Sequence, residues 1–184
     1  MRQSAPQTRF FNPETKDETM ANKVIETTLN DLLNGELRAH HAYLQAAAWA
    51  AERNLDGCYK FLLGHAAEEL EHMHRIFGFL NDLGARVTFS ELPAPQVTAN
   101  DIKGLFTIVT EHESRVTAAI NAAVDLAHVE KDHATTSFLQ WFVDEQHEED
   151  SLCRTILGKI ELIGDGPNAL YLIDREIGLL ADKG

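Results

Sequence analysis

Four residues that could hold or organise a metal ion recur at one spacing: Glu36 and Glu69 are 33 residues apart, and so are Glu113 and Gln146. The second member of each pair opens a short polar run, Glu69-Leu70-Glu71-His72 and Gln146-His147-Glu148-Glu149. Carboxylates with an imidazole at helical spacing make half of a metal site, and here such a half occurs twice. The midpoint of the first pair falls at Glu52/Arg53 and that of the second at Val129/Glu130, both near expected turns. If each pair spans a helical hairpin, its two members face each other at one level.

The surrounding pattern supplies those hairpins. From Val24 to Ala51 the residues Val24, Leu29, Leu32, Leu33, Leu37, Tyr43, Leu44 and Ala47 recur mostly at three- and four-residue intervals without a proline, which predicts a long amphipathic helix. Asn54-Leu55-Asp56-Gly57 reads as a turn, and Tyr59 to Leu80 continues the helical period until Gly84. Residues 85–97 contain Pro93 and Pro95 and show no such period. Fully extended, they reach about 43 Å, the length of a helix of roughly thirty residues. They therefore read as a crossover running from one end of a bundle to the other. Thr98-Ala99-Asn100-Asp101 resembles a capping box opening a third helix, Asp132 suits the cap of a fourth that ends near Gly164, and Pro167 suits the first position of a short fifth helix over 168–180. The expected fold is all-α: two helical hairpins joined by a long crossover into a four-helix bundle, plus a short C-terminal helix. The domain is expected over 22–184, after a disordered extension over 1–21 in which Met20 could serve as an alternative start.

On this frame the acids lie on core faces. Glu36 follows Leu32 and Leu33 by one turn, Glu69 lies between Ala66 and Met73, Glu113 lies between Val109 and Val116, and Gln146 and Glu149 lie between Phe142 and Cys153. No lysine or arginine stands three or four residues from Glu36, Glu69 or Glu113. Burying these acids together without a cation would protonate them or destabilise the bundle by several kcal/mol. A pair of divalent ions is the simplest compensation. Oxygen-rich ligation with one imidazole suits iron, manganese or zinc, of which iron and manganese do redox work. Tyr43, two turns beyond Glu36, fits a redox partner or a packing residue. Trp141 and Phe142 read as core, His65 as a residue supporting a ligand or packing, and His40 and His41 carry no assignment. The acidic run Glu145 to Asp150 would ordinarily be a solvated face, but beside an iron site it suits a secondary cation site.

Composition narrows the partners. A chain of 184 residues, 44% hydrophobic, can bury one continuous core. The formal net charge of −13 disfavours nucleic acid and anionic lipid surfaces and suits the attraction of cations. Cys58 and Cys153 stand far apart among apolar neighbours, which supports neither a disulfide framework nor a zinc motif. Neither a secretory leader nor a membrane-spanning run of about 18 apolar residues is visible, so a cytoplasmic setting is expected.

Across roughly Asn22 to Leu180 the chain resembles the bacterial non-haem ferritins. The resemblance is carried by Leu33-Asn34-Gly35-Glu36-Leu37, Tyr43, His65-Ala66-Ala67-Glu68-Glu69-Leu70-Glu71-His72-Met73, His112-Glu113, the run Phe138 to Glu149, and Leu170-Tyr171-Leu172-Ile173-Asp174. It implies a first iron held by Glu36, Glu69 and His72 with Glu69 bridging, a second held by Glu113 with Gln146 beside it, and Tyr43 next to the pair. It also implies a third iron site from Glu68, Glu145, Glu148 and Glu149. The activity implied is ferroxidase, in which Fe(II) is oxidised by dioxygen or hydrogen peroxide and stored as a ferric mineral core. The assembly implied is a hollow cage of twenty-four identical subunits with the fifth helix at the four-fold axes. Leu70 stands near where bacterioferritins place their haem methionine, so no haem is expected. Two alternatives share the bundle: a rubrerythrin-like diiron peroxidase, and a cage protein without catalysis.

Overall fold

The computed structural model describes residues 16–181, with side chains from Lys23 onward. Its helices are α1 (Lys16–Ala51), α2 (Asp56–Asp82), α3 (Ile102–Val129), α4 (His133–Ile163) and α5 (Ala169–Gly178), and no strand occurs among the described residues. α1 with α2 and α3 with α4 form the two expected hairpins, and α5 packs on α2 and α4. α1 begins earlier than the apolar pattern at Val24, and most of the proposed N-terminal extension lies outside the described residues.

Both hairpins turn through a residue in the left-handed region, Asn54 at φ 56° and Lys131 at φ 57°. Two hydrogen bonds close each turn in the same way. Leu55 N–H donates to Ala50 O and Asn54 N–H to Ala51 O, while Asp132 N–H donates to Ala127 O and Lys131 N–H to His128 O. Asp132 caps α4 by accepting from Thr135 N–H, as expected.

Two other caps differ from expectation. Asp101 is itself the N-cap of α3, accepting from Gly104 N–H at 2.7 Å, so Thr98 does not open a capping box. Pro167 precedes the N-cap Asn168 rather than occupying the first helical position. Gly57, read as part of a turn, lies in the first turn of α2, where an added Cβ would collide with Asp174 O. That close approach lets the Asp174 carboxylate of α5 accept from Gly57 and Cys58 N–H, capping an α2 terminus that has no cap of its own.

The crossover is held by a ladder of side chains. Asn30 donates to Arg86 O and accepts from Thr88 N–H, and Asn34 donates to Thr88 O and accepts from Ser90 N–H. Four residues of helix rise about 6.0 Å and two residues of extended chain about 6.6 Å, so carboxamides one turn apart match alternate peptide groups of the strand-like segment.

The core is not continuous. One apolar cluster gathers Tyr43–Ala50, Cys58–Ala66, Ile102–Val109, Cys153–Ile160 and α5; the other gathers Ile25–Leu33, Met73–Leu80, Ile120–Ala127 and Leu139–Phe142. Between them, every long helix contributes a buried polar residue: Glu36, Glu69 and His72, Glu113, Gln146 and Glu149. Such a layer costs stability unless its groups are paired.

Candidate metal centre

On the α1–α2 side, donor atoms of Glu36, Glu69 and His72 all lie within 4.8 Å of one another. His72 Nδ1 stands 3.3 Å from Glu69 Oε2. One oxygen of Glu36, Oε2, is buried without a hydrogen-bond partner. The His72 ring is held by edge contacts with Trp141, at 5.3 Å between centroids, and Phe142. The guanidinium of Arg75 covers the face of Trp141 at 4.1 Å. Trp141, expected to fill the core, is thus half-buried and braces the imidazole.

On the α3–α4 side, Glu113 is surrounded by donors. Tyr43 O–H donates to its Oε1 at 2.7 Å, and Gln146 Nε2 donates to its Oε2 at 3.3 Å and to Thr117 Oγ1 at 3.1 Å. His112 Nδ1 lies 3.5 Å from Glu113 Oε1.

These surroundings push the acids in opposite directions. Burial, and then the charge of Glu69, raise the Glu36 carboxyl well above the usual range. Glu69 is raised by burial and by Glu113. Burial acts the same way on Glu113, but the neighbouring His112 imidazole and the hydrogen bonds from Tyr43 and Gln146 outweigh it and hold this carboxyl below the usual range. Tyr43 is raised, by burial and then by Glu113, which keeps its hydroxyl protonated and donating.

A second cluster lies one turn along α2 and α4, where His65, Glu68 and Glu149 bring donor atoms within 4.8 Å of one another. Of the four acids implied for a third iron site, Glu149 is buried, Glu68 and Glu145 are half-buried and Glu148 is exposed. Glu145 and Glu148 do not join that cluster. The Glu145 carboxyl is nonetheless raised, by burial first and also by the charges of Glu148, Glu149 and Glu68 against the lowering effect of His72. The sequence pattern does not single out His65 as a donor, although its position four residues before Glu69 puts it on the same helix face.

Cys58 and Cys153 are both buried and free, and the Cys153 thiol is pushed up to about 12 by burial and by Glu113. Neither is a ready thiolate ligand. Four helices thus aim Glu36, Glu69, Glu113, Gln146, Glu149 and the His72 imidazole at one buried layer, and among the described residues no lysine or arginine is buried there to balance them. The unpartnered Glu36 oxygen and the raised Glu36 and Glu69 carboxyls are what a cation would relieve, and two ions sharing Glu69 fit the donor set.

Known proteins resemble this chain in sequence and in fold. Residues 26–163 match the family described as Ferritin-like domain. The chain is 38% identical over 162 residues to a bacterial non-haem ferritin of Campylobacter jejuni, covering 88% of this chain and 97% of that protein. It is also 38% identical over 164 residues to a probable non-haem ferritin-like protein of Haemophilus influenzae, covering 89% and 99%. An open-pore ferritin from the archaeon Archaeoglobus fulgidus superposes with a TM-score of 0.82 at 34% identity, covering 85% of this chain and 96% of that one.

Proposed function

The chain belongs to the ferritin family, with relatives named bacterial non-haem ferritins, and on that premise we propose that it is an iron-storage protein that oxidises the Fe(II) it takes up. The observation that carries this reading is the buried polar layer at mid-bundle, in which acids from several helices converge without a buried lysine or arginine among the described residues. Glu36, Glu69 and His72 hold the first Fe(II), and Glu69 and Glu113 hold the second with Gln146 beside it. Binding displaces protons from Glu36 and Glu69, so the substrate ions replace the protons that burial otherwise forces onto these carboxyls. Anionic oxygen donors favour Fe(III) over Fe(II), and two ions side by side let one oxidant molecule take an electron from each. Trp141 and Phe142 fix the His72 ring, while Tyr43 holds Glu113 in place.

The oxidised iron passes to a cavity enclosed by twenty-four copies of the chain. Large apolar side chains exposed on one subunit support such assembly, among them Leu162 on α4 and Leu170, Tyr171 and Leu179 around α5. Aerobic addition of excess Fe(II) to the assembled protein tests the reading. Iron that travels with the protein on gel filtration, with electron-dense cores inside the particles, is the expected result. Consumption of hydrogen peroxide without retained iron would instead support a diiron peroxidase.

A further inference from the structure

Thr117 stands one turn beyond Glu113 on α3 and is half-buried at the edge of the polar layer. Its hydroxyl donates to Glu113 O at 3.0 Å, the back-bond that a helical threonine makes to the carbonyl four residues earlier. A hydroxyl carries one proton, so with that proton spent the Thr117 oxygen can only accept. What reaches it is the side chain of Gln146 on α4. Gln146 Nε2 donates to Thr117 Oγ1 at 3.1 Å and lies 3.3 Å from both Glu113 O and Glu113 Oε2. The contact with Thr117 is the shortest of the three. An amide has a donor end and an acceptor end of similar size, so its partners set its orientation. Turned the other way, Gln146 would place its carbonyl oxygen against these acceptor oxygens in a buried setting, where an unpaired polar atom is costly. Glu113 Oε1 is taken by Tyr43 O–H at 2.7 Å, which leaves Oε2, held by the longer Gln146 bond, as the oxygen Glu113 can hand to an ion. Once it does so, Thr117 Oγ1 is the nearest acceptor left to the Gln146 amide.

We propose that Thr117 is a positioning residue for the second metal position: by accepting from Gln146 Nε2 it keeps the donor end of that amide against Glu113 and withholds the amide oxygen from the ion. The inference rests on the proposed function and deepens it, naming the residue that keeps the α3–α4 half-site the weaker of the two. An ion there gains no oxygen from Gln146 and is given up more readily.

Calorimetric titration of the metal-free assembled protein with Zn(II) tests this, comparing wild type with Thr117→Val, which keeps the branched shape and loses the hydroxyl. The tighter Zn(II) is expected to keep its affinity within about twofold, while the weaker one tightens by about threefold to tenfold, the worth of roughly one hydrogen bond, as the freed amide turns its oxygen to the ion. Thr117→Ser keeps an acceptor in place and should return the wild-type value. Thr107→Val, which loses the same kind of back-bond at an exposed turn of α3, should not move it. General loosening of the bundle would weaken both ions, so tightening of one alone separates positioning from a structural role. A weaker ion whose affinity is unchanged or lowered in Thr117→Val, or not restored by serine, overturns the assignment and leaves the proposed function standing. A wild type that binds no Zn(II) overturns both. If Thr117→Val does not assemble, crystals of zinc-loaded wild type decide the matter. The Gln146 amide is expected within about 3.2 Å of Thr117 Oγ1 beside a bound ion; an amide swung away from Thr117 and onto the ion contradicts the proposal.

Discussion

The α1–α2 and α3–α4 hairpins are built alike and charged differently. Asn54 and Lys131, the left-handed residues of their turns, stand 77 positions apart, as do Glu36 and Glu113, and Glu69 and Gln146. The backbone therefore delivers two equivalent pairs of side chains to one level. In the first pair both members are acids, one of them with an unpartnered oxygen, and both are pushed towards protonation by burial and by neighbouring acids. In the second, Gln146 replaces the acid, and Glu113 is satisfied by Tyr43 and Gln146 with His112 close by. The difference teaches that a duplicated scaffold can carry two unlike half-sites. On the proposed reading the first half takes a cation strongly, whereas the second, already satisfied by hydrogen bonds, binds one more weakly.

The harshest way to break this comparison is to remove Glu69, the acid proposed to serve both halves. Glu69→Ala is expected to lower the initial rate of Fe(II) oxidation by about 100-fold or more, beyond the 10–100-fold typical of outer partners, while circular dichroism and particle size stay the same. An unchanged rate would remove Glu69 from the centre. Gln146→Glu makes the second half resemble the first, and it should tighten the weaker of the two ions by roughly tenfold in a Zn(II) titration. Equal affinities in wild type would refute the asymmetry outright.

Acidity sharpens the contrast next. Glu36 and Glu69 have raised carboxyls in the metal-free protein, so their contribution is most favourable below the usual carboxylate range and is lost as pH rises, for Glu69 through about 8. Glu113 is lowered, so its contribution is present above the usual range and is lost only on strong acidification. Scanning calorimetry of metal-free protein between about pH 5 and 8 should show the midpoint falling with pH, less steeply in Glu36→Gln, and recovering when Zn(II) is added. The smallest effect belongs to Tyr43→Phe, which removes one hydrogen bond to Glu113 and should cost about 1–2 kcal/mol near neutral pH by denaturant unfolding. A loss no larger than that of an exposed tyrosine, such as Tyr171→Phe, would show that the bond is not contributing.

Much of this is legible in the chain because helical periodicity places side chains on faces. Glu36, Glu69, Glu113 and Gln146 are assignable to the core from the amino-acid pattern alone, since their apolar neighbours at three and four residues set the stripe. What escapes depends on partners far along the chain, which periodicity does not encode. Asn30 and Asn34 look like ordinary polar residues until residues 86–90 lie beside them. Gly57 looks like a turn residue until α5 closes on it, and Asp174 reveals its role only against the start of α2. A lone histidine on an apolar face is usually packing, so His65 gives no signal of its own; its place beside Glu68 and Glu149 becomes visible only in the fold. The cap of α3 lies three residues beyond Thr98, where the Asp101 carboxylate accepts from Gly104 N–H.

The central claim is that the buried layer holds two Fe(II) ions close enough to react together. Metal-free protein loaded anaerobically with two Fe(II) per chain, then mixed with oxygenated buffer in a stopped-flow instrument, tests it most directly. The account predicts a transient visible band within milliseconds to seconds, decaying to a yellow-brown ferric product, and loss of that band in Glu69→Ala. Browning of wild type at the rate of Fe(II) in buffer alone would contradict it.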